Sequence, residues 1–259
     1  MGIECPIPDI HCENMRSTRE KGISAPTQQV LRAGWLGQQD AQFSEAVLHE
    51  GRRQHFSDEE SIYVYGDRKD RLYGVVAGAV RLQVLRNERC RLGHIGGPGY
   101  WFGEVEFITQ RPSIMTLVAA GETELLVLTR AAFDRIVSAY PDAWRSLATL
   151  CAYNVDLAAA AAEDLMIRDS TVRMVAVLLR LSSHRHAFQG VAPVDFIPAT
   201  QEEVSLAANL SRSTGTSILA ELSKCGWLNT GYRGIQIIDA QAMRNRLAEH
   251  FEQRVAPNP

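Results

Sequence analysis

From residue 130 to 170 the chain runs some 40 residues without a glycine: "RAAFDRIVSAYPDAWRSLATLCAYNVDLAAAAAEDLMIRDS". Rich in Ala and Leu, it is a stretch in which helix is the favoured state. The segment before it, from about 35 to 130, has the opposite texture. Short apolar runs such as "SIYVYGD", "RLYGVVAGAVRLQVL" and "TELLVLT" are punctuated by glycine, with turn signals every ten residues or so. That pattern argues for an all-β sandwich or roll. Gly74 and Gly78 interrupt one long strand, where they can bend it or admit another backbone. The chain therefore divides into a polar N-terminal arm (1–34), a β-rich domain (35–140), a long helix (141–168) and a further domain (169–259). Its 259 residues suit two domains.

Within the glycine-free stretch, Pro141 opens a helix from Ala143 to about Ile167, proline being tolerated in the first turn. Leu147, Leu150, Cys151, Asn154, Leu157, Ala158, Ala161 and Leu165 fall at three- and four-residue spacings along one stripe. An Ala/Leu seam between two domains is expected to serve dimerisation. The alternative is that the stripe packs on its own β-domain. Asp169, Ser170 and Thr171 then end the helix with cap-forming residues, a hinge.

The segment "TQEEVSLAANLSRSTGTSILAELSKCGWL" carries the most specific signal. Thr200 followed three residues later by Glu203 is a capping box. Asn209 stands where a turn between two helices needs a left-handed residue. Ser211 caps the second helix, and Ile218, Leu219 and Leu222 hold it down. Arg212, Ser213, Thr214 and Ser217 project from its first half, the end that enters a major groove. Arginine there can reach guanine O6 and N7, and the hydroxyls suit phosphates. A preceding helix, "TVRMVAVLLRLSSH", and a following hairpin with its turn at 230–234 complete a winged helix-turn-helix in outline. The competing reading is an ordinary buried helical hairpin.

Charge is neutral on this point. The net −3 does not advertise a nucleic-acid partner, although residues 1–167 hold 17 basic and 22 acidic side chains and residues 168–259 hold 10 and 8. The first twenty residues lack a secretion signal, and no window approaches 18 apolar residues, so a cytoplasmic chain with no membrane partner is expected. Five scattered cysteines do not form a disulfide framework. Cys5 and Cys12 read as free thiols rather than cluster ligands, His94 as a solvated strand-end residue, and His184 and His186 as residues following a helix C-terminus. No nucleophile–base grouping and no Walker-type or dinucleotide glycine loop occurs. No enzyme, metal or cofactor is expected.

Taken together, "TQEEVSLAANLSRST", "GPGYWFGEVEF" and "GDRKDRLYGVVAGAVRL" resemble the Crp/Fnr family of bacterial transcription factors over about residues 40–240. The resemblance implies an α+β chain: a cyclic-nucleotide-binding-like β-roll, a long dimerisation helix and a C-terminal winged helix-turn-helix. It also implies a homodimer acting on palindromic double-stranded promoter DNA and contacting RNA polymerase. The expected DNA contacts are Thr200, Gln201, Ser211, Arg212, Ser213, Thr214, Ser217 and Arg233.

The effector loop departs from the family pattern. The resemblance places a phosphate-gripping arginine and a hydroxyl where this chain has Ser113 and Ile114, while Arg111 comes two residues early, before Pro112. The middle of the long helix offers "LAAAAAED" instead of hydroxyls. The expected pocket, Gly103, Glu104, Val105, Arg111, Ser113 and Ile114, thus keeps its turn and loses its phosphate grip, leaving an unknown effector, an apolar one suited to Phe102, Phe107, Ile108 and Ile114, or none. In the recognition helix Ser213 and Ser217 replace the acidic and basic base-readers of the best-known site, and Gly215 weakens the helix. A cyclic-nucleotide-, haem- or redox-responsive regulator on the same scaffold, or an interaction protein that has lost specific DNA binding, are the alternatives.

Overall fold

The computed structural model describes residues 24–86, 89–185 and 190–255. Cys5, Cys12 and His186 lie outside them. Where a loose arm was expected to extend to residue 34, the described part is helical from Ala25. Helix α1 (Ala25–Arg32), a 3₁₀ turn (Trp35–Gln38) and α2 (Ala41–Glu50) precede the first strand. Leu31, Trp35 and Phe43 are fully buried. The Trp35 indole N–H is shared between the Ser146 carbonyl and the Thr149 hydroxyl, each at 3.0 Å. Polar neighbours hid this packing; the i, i+4 pair Leu31 and Trp35 is its trace in the sequence.

The β-rich part is one antiparallel sheet in the order β1 (Arg52–Phe56), β6 (Met115–Thr129), β3 (Arg71–Arg86), β4 (Arg89–Gly96). Short strands β2 (Ser61–Tyr63) and β5 (Trp101–Phe102) pair with β6 and β3. The long β3 and β6 slip register twice between Val75 and Ala79. There Gly78 adopts φ +75°, and a Cβ on it would lie 2.4 Å from the Glu122 carbonyl oxygen. The glycine lets one strand bend and a neighbouring backbone close in. Between β5 and β6 sits the short helix α3 (Glu104–Thr109).

Helix α4 (Arg130–Ala139) leads into α5 (Ala143–Met166), matching the expected span of the long helix. Its expected seam is out of phase with the free surface. Leu147, Leu150 and Leu157 are buried within their own chain, and Asn154, Ala158 and Ala161 border a cavity in the β-roll. The exposed face is the neighbouring one, carrying Ala148, Ala152, Val155, Ala159, Ala162 and Met166.

Beyond Asp169, which caps α6 (Ser170–Leu181) by accepting from the Val172 N–H, lies the second domain. It comprises α6, β7 (Phe196–Ile197), α7 (Gln201–Ala207), α8 (Arg212–Lys224), the hairpin β8 (Leu228–Thr230) and β9 (Ile235–Ile237), and α9 (Ala240–Val255). Helix α6 is buried almost all round, as befits the centre of a small domain. Ion pairs join the two domains. Arg180 of α6, itself buried, donates through Nε to Asp164 (2.7 Å) and through a terminal nitrogen to the Gly93 carbonyl (2.9 Å). Arg185 pairs with the same Asp164. Arg81 of β3 reaches both Glu59 and Glu203 of α7.

Candidate nucleic-acid interface and effector cavity

Local chemistry fixes the two helices that face outward. The Thr200 hydroxyl accepts from the Glu203 N–H at 3.1 Å, and the Glu203 carboxylate accepts from the Thr200 N–H at 2.7 Å. Asn209 takes up φ +52°, the left-handed turn residue. The Ser211 hydroxyl accepts from the Thr214 N–H at 3.1 Å and lies within hydrogen-bond distance of the Ser213 and Thr214 hydroxyls. Arg212, Ser213, Thr214 and Ser217 are exposed on the first half of α8, with Thr200 exposed and Gln201 half-buried at the start of α7. Among the described residues Arg212 has one loose, exposed pairing, with Glu202 3.7 Å away. Arg233, exposed in the wing, is held 3.1 Å from Asp58 of the β-roll.

Gly215 has a packing reason. It is buried where α8 crosses α7, and a Cβ there would lie 1.9 Å from the Ser205 hydroxyl oxygen and 2.4 Å from its Cβ. The glycine sets how closely the two helices approach, rather than marking a decayed reading helix.

The second site is a cavity of about 240 Å³ between β4, α3 and α5. Gly103, Glu104, Val105 and Ile114 line it, as do Phe102 and residues that the sequence did not assign to the pocket, chiefly Tyr63, His94, Tyr100 and Glu106. Arg111 and Ser113 do not line it. Arg111 is exposed on the loop after α3, and Ser113 is bound up in its own loop, its hydroxyl donating to the Met115 carbonyl at 3.0 Å. Phe107 is buried instead against Phe133, and Ile108 is exposed. Among the described lining residues there is no lysine or arginine.

Within the cavity wall, the Tyr100 hydroxyl donates to Asn154 Oδ1 (3.1 Å), and Asn154 Nδ2 donates to Glu104 Oε1 (2.9 Å). Burial pushes the Glu104 carboxyl up to about 7, against the pull of the Asn154 hydrogen bond. His94 is not solvated as expected. It packs beside the Tyr100 ring (centroids 5.3 Å apart), and burial, helped by the Arg180 charge, pulls its pKa down to about 3. The alternation of β4 turns it inward, which its place near a glycine-rich turn concealed. Burial also raises the Tyr63 phenol, with Glu106 and Glu104 adding to the effect.

Among the described residues no helix is long and apolar enough to cross a membrane, and no cluster of His, Cys, Asp or Glu is placed to hold a metal ion.

Two family models match the chain. One, "Cyclic nucleotide-binding domain", covers residues 53–140, and the other, "Crp-like helix-turn-helix domain", covers residues 172–246. The chain is 30% identical over 182 residues to the transcriptional regulator SdrP of Thermus thermophilus, covering 70% of this chain and 85% of that one. It is 24% identical over 187 residues to a CRP-like cAMP-activated global transcriptional regulator of Mycobacterium tuberculosis, covering 72% and 84%. Among solved structures, FixK2 from Bradyrhizobium japonicum superposes with a TM-score of 0.61 at 20% identity, covering 75% of this chain and 96% of that one. The two domains, joined by the long helix in this order, are those of a known group of regulators, and the chain belongs to the Crp/Fnr family of transcription regulators, with a helix-turn-helix for DNA.

Proposed function

We propose that the chain acts in the cytoplasm as a homodimeric, sequence-specific transcription regulator whose DNA binding does not depend on cyclic AMP. The observation that carries this is the pairing of an intact reading helix with a cavity that lacks a phosphate partner. Arg212 and its hydroxyl neighbours stand on a capped, tightly packed α8, whereas the described cavity wall offers carboxylates and no cation. A buried phosphate facing that wall would lose its water without gaining a counter-charge, at a cost of several kcal/mol. The interaction protein without DNA binding loses one of its two motives, because Gly215 serves the helix crossing, and rests on the absent acidic and basic base-readers alone.

The exposed face of α5 supports the dimer. Ala148, Ala152, Val155, Ala159, Ala162 and Met166 alternate by four and three residues, the spacing of a two-stranded seam. Val155 and Met166 are 65% and 78% exposed, and the alanines allow a second copy of the same helix to come close. RNA polymerase is a further partner on the same reading.

The test is fluorescence anisotropy of the purified protein on its own upstream promoter DNA, with and without cyclic AMP and cyclic GMP. Salt-dependent, nucleotide-independent binding is expected, weakened at least tenfold by Arg212→Ala, the loss of one guanine contact. Binding that appears only with a nucleotide would overturn the reading.

A further inference from the structure

We infer that the β-roll cavity takes a small organic cation: an ammonium group on an apolar body, such as an arylalkylamine. This deepens the reading above, since it rests on the cavity being the effector site and on its lack of a phosphate grip.

Three independent features of the wall converge. The first is charge. Glu104 and Glu106, two residues apart on α3, are 4% and 8% exposed, and both line the cavity. Neither has an ion-pair partner among the described residues, and Glu104 is met by neutral donors, the Asn154 amide and its own backbone N–H. A carboxylate withdrawn from water calls for a proton or a cation, and two side by side call for it more strongly. The second is an orphaned group. His94, 6% exposed, lines the same cavity, and its Nδ1 has no hydrogen-bond partner. A neutral imidazole nitrogen is able to accept an N–H. Tyr100 and Asn154, by contrast, are bound to one another and to Glu104, so the unengaged polar groups are mainly acceptors. The third is the remainder of the wall. Tyr63, Tyr100 and Phe102 pack against one another, Tyr100 and Phe102 nearly parallel, and Ile114 and Leu157 add aliphatic surface. Aromatic faces attract cations as well as apolar groups.

A ligand matching all three is a donor-rich cation with a hydrocarbon or aromatic body. The cavity's 240 Å³ is about eight water-sized volumes at roughly 30 Å³ each, room for a single ring and its side chain. A phosphate ester has the wrong sign. A neutral alcohol fills the space but brings no counter-charge to the carboxyl pair.

The experiment is titration calorimetry of the full-length protein with three probes of matched shape: 2-phenylethylammonium, 2-phenylethanol and 3-phenylpropionate, with cyclic AMP as a fourth. The ammonium ion is expected to bind at least tenfold more tightly than the alcohol, with no saturable binding of the propionate or the cyclic nucleotide. Glu106→Gln should bring the ammonium affinity down to that of the alcohol, while Glu106→Asp keeps most of the preference. Thermal unfolding of each variant establishes that it is folded. Equal or tighter binding of the alcohol or the propionate overturns the inference, as does ammonium binding unmoved by Glu106→Gln, or no binding of any probe. Promoter binding measured on the same preparation separates the two readings. Nucleotide-independent DNA binding with no ammonium preference removes the cation alone, whereas cyclic AMP binding that switches on DNA binding removes the proposed function as well.

Discussion

Replacing Gly215 by alanine tests how the reading helix is seated. In isolation the change should help: alanine is better than glycine in a helix interior by about 1 kcal/mol. The structure predicts the reverse. The new methyl carbon would lie 1.9 Å from the Ser205 hydroxyl oxygen and 2.4 Å from its Cβ. Ser205 is fully buried and its hydroxyl donates to the Gln201 carbonyl at 2.5 Å, so no flexible end can swing away. Helices α7 and α8 must separate, and overpacking of this kind costs about 1–3 kcal/mol. After the propensity gain, Gly215→Ala should lose up to about 2 kcal/mol in urea unfolding and weaken promoter binding as α8 tilts. Ser205→Gly opens the missing space at a propensity cost of roughly 0.5 kcal/mol. The double variant should therefore regain most of the stability lost by Gly215→Ala, giving a coupling energy of at least about 1 kcal/mol between the sites. A Gly215→Ala protein more stable than the parent by the full propensity gain of about 1 kcal/mol, or a double variant whose losses simply add, would refute the close crossing as the role of this glycine.

Three further outcomes are expected. Asp164→Ala strands Arg180 in the domain junction and should cost about 3–5 kcal/mol by chemical denaturation, with much of it recovered when Arg180→Met removes the stranded charge too. The Glu104 carboxyl, at 4.5 when unfolded and about 7 when folded, binds more protons in the native state between those values, so its contribution to stability falls as pH rises through that window. Glu104→Gln should accordingly gain roughly 3 kcal/mol relative to the parent between pH 4.5 and pH 8, and a pH-independent difference in urea midpoints would contradict the burial of this charge. Val155→Glu places like charges against each other across the α5 seam, and light scattering at micromolar concentration should report a monomer in place of a dimer.

The helix-turn-helix was legible in the sequence because its signals are local. A capping box at Thr200, the Ser211 cap, a left-handed Asn209 and an arginine-led helix start act within a few residues, and the structure shows each where the pattern put it. The span of α5 was legible for the same reason. Which face of α5 is free was not, because a run of alanines offers several stripes of similar apolar character. The choice among them is made by the β-roll, which takes Leu147, Leu150 and Leu157 for its own core. Helices α1 and α2 were missed because their apolar positions are few and pack against distant segments, α1 on β3 and α2 on α4, while Trp35 in the turn between them reaches Ser146. The cavity was half legible. The loop from Gly103 to Ile114 announced it, but His94 and Asn154 reach it from β4 and α5, and nothing in their local sequence says that they meet.

That meeting bears on how the two domains work together. Gly93 and His94 form part of the cavity wall, and the Gly93 carbonyl accepts from Arg180 of α6, the first helix of the DNA-reading domain. The same guanidinium holds Asp164 in the last turns of α5, one turn beyond Ala161, which also lines the cavity. Strand β4, helix α5 and helix α6 are thus joined at one buried cation. Because a buried guanidinium cannot leave either acceptor unpaired without a cost of about 1–3 kcal/mol or more, β4 and the end of α5 cannot shift independently of α6. Any occupant that moves the cavity wall bears first on the helix that carries the reading domain. The wing contact between Arg233 and Asp58, exposed and worth at most about 1 kcal/mol, is by comparison easily released. Arg180 at the hinge and the buried Arg81, which pairs with Glu59 and with Glu203 of α7, are thus the strong ties between the domains, and the wing contact is the weak one, so a shift of the cavity wall reaches the reading domain through α6 and α7 before it is felt at the wing.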